Sequence, residues 1–243
     1  MGVFSCEKMK KINYYYIPTV LQKIGYVLFF LSHHFFVHLE IKGKENFKNI
    51  NGPIILAPNH TSELDVTIIP LLFPFFSKFF PIYFTTNSKE KYRKSLRFGW
   101  RSFFYGGVIF DLLGGSQIYS GYKNYSISLK NHTHHLKRGN TVCIFPEGSI
   151  SLDGKLSRGH GGVGYLVHTT KAPVFPIAIN TFYEMSWKKY FSRKDKVTIT
   201  ICPPMYKKDL IFTTAPKVED FQLASRMVLE KISEVLKLKS KIS

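Results

Sequence analysis

Short apolar runs that each close on a turn constrain this chain more than any other feature. Pro53 to Ala57 (PIILA) follows an Asn51-Gly52 turn. Ile82 to Thr86, Thr141 to Phe145, Val174 to Ile179 and Val197 to Cys202 (VTITIC) have the same character. Runs of about four to eight such residues, bounded by turn formers, read as buried strands. Helical stretches separate them, at Tyr122 to Arg138 and Gly162 to Thr170. Near the end, Val218 to Leu238 sets Phe221, Ala224, Val228, Ile232, Val235 and Leu236 close to the α-helical period. Strand–helix alternation predicts an α/β fold, with a central, mostly parallel sheet flanked by helices. A chain of 243 residues is long enough for one sizeable core. Residues 40–243 are therefore read as one domain, preceded by a helical segment over 1–39.

Within that first segment, residues 19–39 (TVLQKIGYVLFFLSHHFFVHL) are apolar but interrupted by Lys23, His33, His34 and His38. A spanning helix needs about 20 mostly apolar residues, so the pattern favours an amphipathic, membrane-contacting helix lying in the interface. A helix packed on the main domain is the other reading. The phenylalanine-rich run Leu71 to Phe84 (LLFPFFSKFFPIYF) contains prolines that exclude a long helix. It fits ordinary core, or an acyl-chain tunnel or membrane contact, and the residues alone do not choose.

Charge narrows the partners. Lys and Arg number 34 against 16 Asp and Glu, a formal charge of +18, which points to a polyanion. The basic residues are scattered among aromatic and apolar runs and form no recognisable nucleic-acid module. An anionic membrane surface is the better match, and no nucleic-acid partner is expected. Cys6, Cys143 and Cys202 have no metal-ligand spacing; Cys143 and Cys202 sit in strand-like runs and are expected to be buried free thiols in a reducing compartment. The chain opens with no secretory pattern, so the cytoplasmic face of a membrane is the expected location. His132, His134 and His135 stand in a polar helical stretch without Cys or carboxylate partners, which reads as a solvated face and not a metal site.

Three turns carry chemistry. Asn59-His60-Thr61-Ser62-Glu63-Leu64-Asp65 follows the PIILA strand, where α/β folds bind ligands. On one straight helix His60 and Asp65 would lie about 140° apart, at roughly 100° per residue. They meet only if His60 stands in the turn and Asp65 in the first helical turn. So arranged, Asp65 would accept from one imidazole nitrogen and leave the other as a base. Helix capping by Thr61 or Ser62 beside a solvated His60 is the bland alternative. Phe145-Pro146-Glu147-Gly148-Ser149 follows another strand and suits hydroxyl or anion binding. Asp153 to Gly162 (DGKLSRGHGG) is glycine-rich and basic ahead of a helix, which favours phosphate.

Taken in order, His60-x4-Asp65, Phe145-Pro146-Glu147-Gly148 and Ala172-Pro173-Val174-Phe175-Pro176-Ile177 resemble the glycerolipid acyltransferase superfamily. The likeness runs over roughly Glu40 to Leu236 and is greatest to the 1-acylglycerol-3-phosphate (lysophosphatidic acid) acyltransferases. It implies an O-acyltransferase in which His60 is the general base and Asp65 orients it. The donor would be an acyl thioester of coenzyme A (acyl-CoA) or of acyl carrier protein (acyl-ACP), with no other cofactor. The acceptor would be a lysophospholipid, giving phosphatidic acid, with Glu147, Gly148 and Ser149 helping to bind its phosphate. The chain departs from the family where Gly121 stands at the position of a phosphate-contacting Arg, and Ile150 where Arg or Lys often follows. Lys123 and Arg158 are the remaining candidate cations, Lys123 without the planar fork of Arg. That departure motivates a different lysolipid, or an acylated amino-acid lipid, as acceptor. It also gives weight to a non-enzymatic basic membrane- or nucleic-acid-binding protein with vestigial motifs, against which stand His60, Asp65, Glu147 and Gly148 together.

Overall fold

The polar turns gain their meaning from the sheet that carries them. The computed structural model describes residues 2–87, 108–118, 124–151, 153–180, 183, 187–192 and 196–240. Among the described residues, strands β1 (His38–Lys42), β2 (Ile55–Pro58), β3 (Ile82–Thr86), β4 (Gly115–Gln117), β5 (Thr141–Cys143), β6 (Val174–Asn180) and β7 (Lys196–Ile201) form one sheet. Their order is β1-β7-β6-β2-β5-β3-β4. Every pair is parallel except β6 with β7, which is antiparallel. The helices are α1 (Gly2–Phe36), α2 (Asp65–Ile68), α3 (Val108–Leu112), α4 (Tyr125–Ser128), α5 (Lys130–Lys137), α6 (Gly162–Thr170), α7 (Trp187–Phe191) and α8 (Val218–Ser240).

Alternation along each strand splits the core in two. Ile54, Leu56, Ile82, Phe175 and Ile177 point to one face, with Ile68, Phe73 and Phe80. Ile55, Ala57, Tyr83, Val142 and Val174 point to the other, under Leu129, Val163 and Val228 of the α4–α5 junction, α6 and α8. β2 lies between β5 and β6 with both faces covered, which explains its unbroken apolar run. Most of the phenylalanine-rich run is core: Phe73, Phe79, Phe80 and Phe84 are buried, whereas Phe76 is 86% exposed.

Helix α1 is longer than its apolar pattern suggested, and it stops at Phe36 because His38 already pairs in β1. Two of its polar residues, Gln22 and His33, turn inward, whereas His34 is exposed. Buried Gln22 donates from Nε2 to the carbonyls of Ile82 (2.7 Å) and Leu113 (2.8 Å) and accepts the Ile82 amide at Oε1 (2.8 Å). It thus supplies a buried strand end with the partners its backbone requires. Buried His33 places Nδ1 2.7 Å from the Phe29 carbonyl and Nε2 3.4 Å from Thr67 Oγ1 on α2, while Ser32 bonds Tyr190 of α7. Apolar residues occupy the opposite face, with Tyr16, Val20, Ile24, Leu28, Leu31 and Phe35 exposed.

Two readings of the sequence need correction. The stretch read as one helix to Arg138 is broken at Leu129 into α4 and α5, with Asn124 capping α4 through a 2.8 Å bond from the Ser126 amide. The histidine run is not a solvated face. His132 and His135 are buried and only His134 is exposed. Leu129, His132 and Leu136 repeat at helical spacing, so His132 follows the leucines inward. Its Nε2 lies 3.0 Å from the Ser116 carbonyl of β4, and the His135 ring stacks on Tyr83 at 3.5 Å. Burial holds both well below the ordinary histidine range, His132 at about 4 and His135 at about 3.

Candidate active site

The central strands end in the three turns that carry the site. Asn59 is buried past the end of β2, and its carboxamide pairs with the Ile179 backbone in both directions, Nδ2 to the carbonyl (3.0 Å) and the amide to Oδ1 (2.7 Å). The strand pairing is extended through a side chain, and the next residue, His60, leaves the sheet at a fixed point.

From there Asp65 closes the turn. It is the first residue of α2 and fully buried. Its Oδ2 accepts three bonds: from the amides of Thr61 (2.7 Å) and Ser62 (2.8 Å), and from His60 Nδ1 (3.0 Å). Donation by two amides identifies Oδ2 as an acceptor, so the proton of neutral His60 is assigned to Nδ1. Nε2 keeps its lone pair and has no partner among the described residues. The imidazole also stacks on Phe145, ring centroids 3.9 Å apart at 20°. A ring fixed by stacking on one face and a carboxylate at one edge leaves the other edge as a directed base. The turn-then-helix placement expected for the pair is the one observed; Asp65 accepts the Thr61 and Ser62 amides, and Ser62 Oγ accepts that of Leu64 at 3.2 Å.

The other turns surround this pair. Glu147 is buried, with Oε1 accepting the His60 amide (2.8 Å) and Oε2 the Ser157 amide (2.9 Å). The Ser151 amide donates to the His60 carbonyl at 2.8 Å. Gly148 has φ +70°, and a Cβ there would stand 2.5 Å from Cδ2 of His160, so no other residue fits without moving that ring. Ser149, Arg158 and His160 are exposed along the same loop, which ends where α6 begins at Gly162. Gly121 and Lys123 lie outside the described residues. Cys143 and Cys202 are buried, and burial pushes both thiols up, Cys202 to about 11, so neither is an activated nucleophile.

Sequence reasoning quoted Asn59 and Phe145 within the motifs without giving either a role, and it missed Ser151. The signal for Asn59 was a polar residue two places beyond the PIILA run, and that for Phe145 its place as the last residue of the TVCIF run.

A histidine oriented by a buried carboxylate beside a glycine-rich, basic loop is an arrangement able to take a proton from a hydroxyl next to a bound anion. The chain belongs to the acyltransferase family, whose model, described as Acyltransferase, matches residues 38–180. The fold is similar to the crystal structure of the 1-acyl-sn-glycerophosphate (LPA) acyltransferase PlsC from Thermotoga maritima. The likeness has a TM-score of 0.59 at 23% identity and covers 91% of this chain and 80% of that one.

Proposed function

We propose that this acyltransferase moves a fatty acyl group from an acyl thioester to the free hydroxyl of a lysophospholipid, 1-acylglycerol-3-phosphate being the first candidate. The observation that carries the reading is the 3.0 Å bond between His60 Nδ1 and an Asp65 oxygen already held by two amides. His60 Nε2 would take the acceptor hydroxyl proton as its oxygen attacks the thioester carbonyl carbon. The tetrahedral intermediate then collapses, the carbon–sulfur bond breaks, and the proton on Nε2 passes to the departing thiolate. General-base assistance of this kind contributes on the order of 10²–10⁴ in rate. Arg158 and, from the sequence, Lys123 are the cations offered to an acceptor phosphate, and Ser149 is exposed on the same loop as Arg158; Gly121 in place of the family Arg keeps a different lysolipid as the second reading.

A membrane location is part of the same proposal. Helix α1 buries Gln22 and His33 and exposes Ile24, Leu28 and Leu31, the reverse of a water-facing helix. Lys23 Nζ lies 5.1 Å and 5.3 Å from the Phe75 and Phe76 rings, which brings exposed Phe76 beside that face. Val108 and Ile109 of α3, which packs on α1, are exposed as well. Among the described residues no helix is long and apolar enough to cross a membrane. An interfacial seat on an anionic leaflet suits such a face on a chain of +18.

The test is a panel of lyso-acceptors, glycerol-3-phosphate-, choline- and amino-acid-headed, each supplied with acyl-CoA and, separately, acyl-ACP. Acceptor-dependent thiol release, fastest with 1-acylglycerol-3-phosphate, supports the first reading. Faster release with another headgroup transfers support to the second, and release with none overturns both.

A further inference from the structure

The resemblance assigns Glu147 to acceptor binding, yet its carboxylate is turned away from any acceptor. It is 2% exposed. Both oxygens are engaged with the backbone, Oε1 by the His60 amide at 2.8 Å and Oε2 by the Ser157 amide at 2.9 Å. The two donors come from separate segments. His60 heads the turn after β2, and Ser157 lies in the glycine-rich loop ahead of α6. Resting on the acyl-transfer reading above, we infer that Glu147 is a positioning residue, a carboxylate strap that fixes the His60 backbone to the loop offered to the acceptor.

Three features support the assignment. First, the strap completes the restraint of His60: Asp65 sets the imidazole, Phe145 stacks on it, and Ser151 and Glu147 hold the carbonyl and amide of the same residue. Base and loop then move as one body, as a proton transfer needing placement within a few tenths of an ångström demands. Second, two converging N–H donors call for two acceptor oxygens, which a carboxylate has and a carboxamide lacks. Third, a bare carboxylate facing a phosphate would repel it, whereas one buried against two amides leaves the exposed Ser149, Arg158 and His160 to that task. The reach matters as well. Glu147→Asp keeps the charge but is one methylene too short to span both amides, while Glu147→Gln keeps the length but sets an NH₂ against an N–H.

Hydrogen exchange of the substrate-free protein tests the strap without reference to activity. In the wild-type chain the His60 and Ser157 amides should exchange at least about 100-fold more slowly than unstructured amides. Fast exchange at either overturns the proposal even if no variant folds. In E147Q and E147D, exchange should accelerate over residues 60–63 and 155–160 together, and elsewhere remain as in wild type. Turnover should fall at least about tenfold while the acceptor KM changes by less than about threefold. Unchanged exchange with a raised acceptor KM, or full rescue by E147D, would instead make Glu147 a ligand of the acceptor and overturn the strap. A His60→Ala protein run alongside separates the two claims. If it stays active the assignment of His60 as the base fails, and the exchange data still decide what Glu147 does.

Discussion

Asp65 offers the sharpest comparison between two substitutions of one residue. Three donors converge on its Oδ2, the amides of Thr61 and Ser62 and Nδ1 of His60. In Asp65→Asn the amide oxygen must take the Oδ2 position, because an NH₂ there would face three donors. Both amides and Nδ1 therefore keep an acceptor, so the fold should persist, weakened by about 1–2 kcal/mol for each of the two amide bonds that trades a charged partner for a neutral one. Lost instead is the charge that stabilises the imidazolium formed as the acceptor proton arrives. A bond to a charged group contributes about 1.5–3 kcal/mol against about 0.5–1.5 for a neutral pair. The difference, about 1–2 kcal/mol, lowers kcat roughly 5- to 30-fold. Asp65→Ala removes the acceptor altogether and leaves two part-buried amides unpaired. At about 1–3 kcal/mol for each it should lose about 2–6 kcal/mol of stability, along with at least as much activity. Thiol release with saturating acyl-CoA gives kcat, and urea denaturation gives stability. Full activity in Asp65→Asn, or wild-type stability in Asp65→Ala, would refute the orienting role derived from this geometry.

Other consequences are independent of that turn. Gln22→Leu would strip partners from the buried Ile82 amide and carbonyl, and a loss of about 2–4 kcal/mol in urea denaturation is expected; no change would mean α1 is not held by this residue. His135 has a folded pKa of about 3 against an ordinary 6.5, so protons favour the unfolded chain. Its contribution to stability is full above pH ~6.5 and declines as the pH falls toward 3, by about 2 kcal/mol between pH ~7.5 and pH ~5. His135→Phe should lose correspondingly less over that range, and parallel stability–pH curves for the two proteins would contradict the burial argument. The double variant Ile24→Glu with Leu28→Glu, on the outer face of α1, should leave the melting temperature in place and reduce flotation with phosphatidylglycerol vesicles about tenfold or more. Equal flotation would remove α1 from the membrane surface.

Much of the scaffold could be read from the residues because β2, β3, β5, β6 and β7 are buried runs whose ends are marked by turns. The strands that escaped notice are edges. β1 is a half-exposed HLEIK segment, and β4 has only three residues, beginning with glycine. Neither carries an apolar run, and each is a strand only because β7 or β3 lies beside it. For the site, residue types and order indicated His60 and Asp65, and the sheet brings them together. What the order could not convey is the direction in which a side chain points. Glu147 looks like a ligand in the sequence and turns inward in the structure, since its partners are backbone amides that carry no residue-type signature. The same applies to α1, where Gln22 and His33 interrupt the apolar pattern. The pattern does not say which way these side chains point, and in the structure they bond the helix to the sheet and to α2.

Substitution of His60 tests the base assignment most directly. Purified His60→Ala protein is compared with wild type for acceptor-dependent thiol release from acyl-CoA, with a matched melting temperature as proof that it is folded. Loss of about 10²–10⁴ in kcat is the predicted result. A folded His60→Ala protein that turns over at near the wild-type rate would contradict the assignment of His60 as the base.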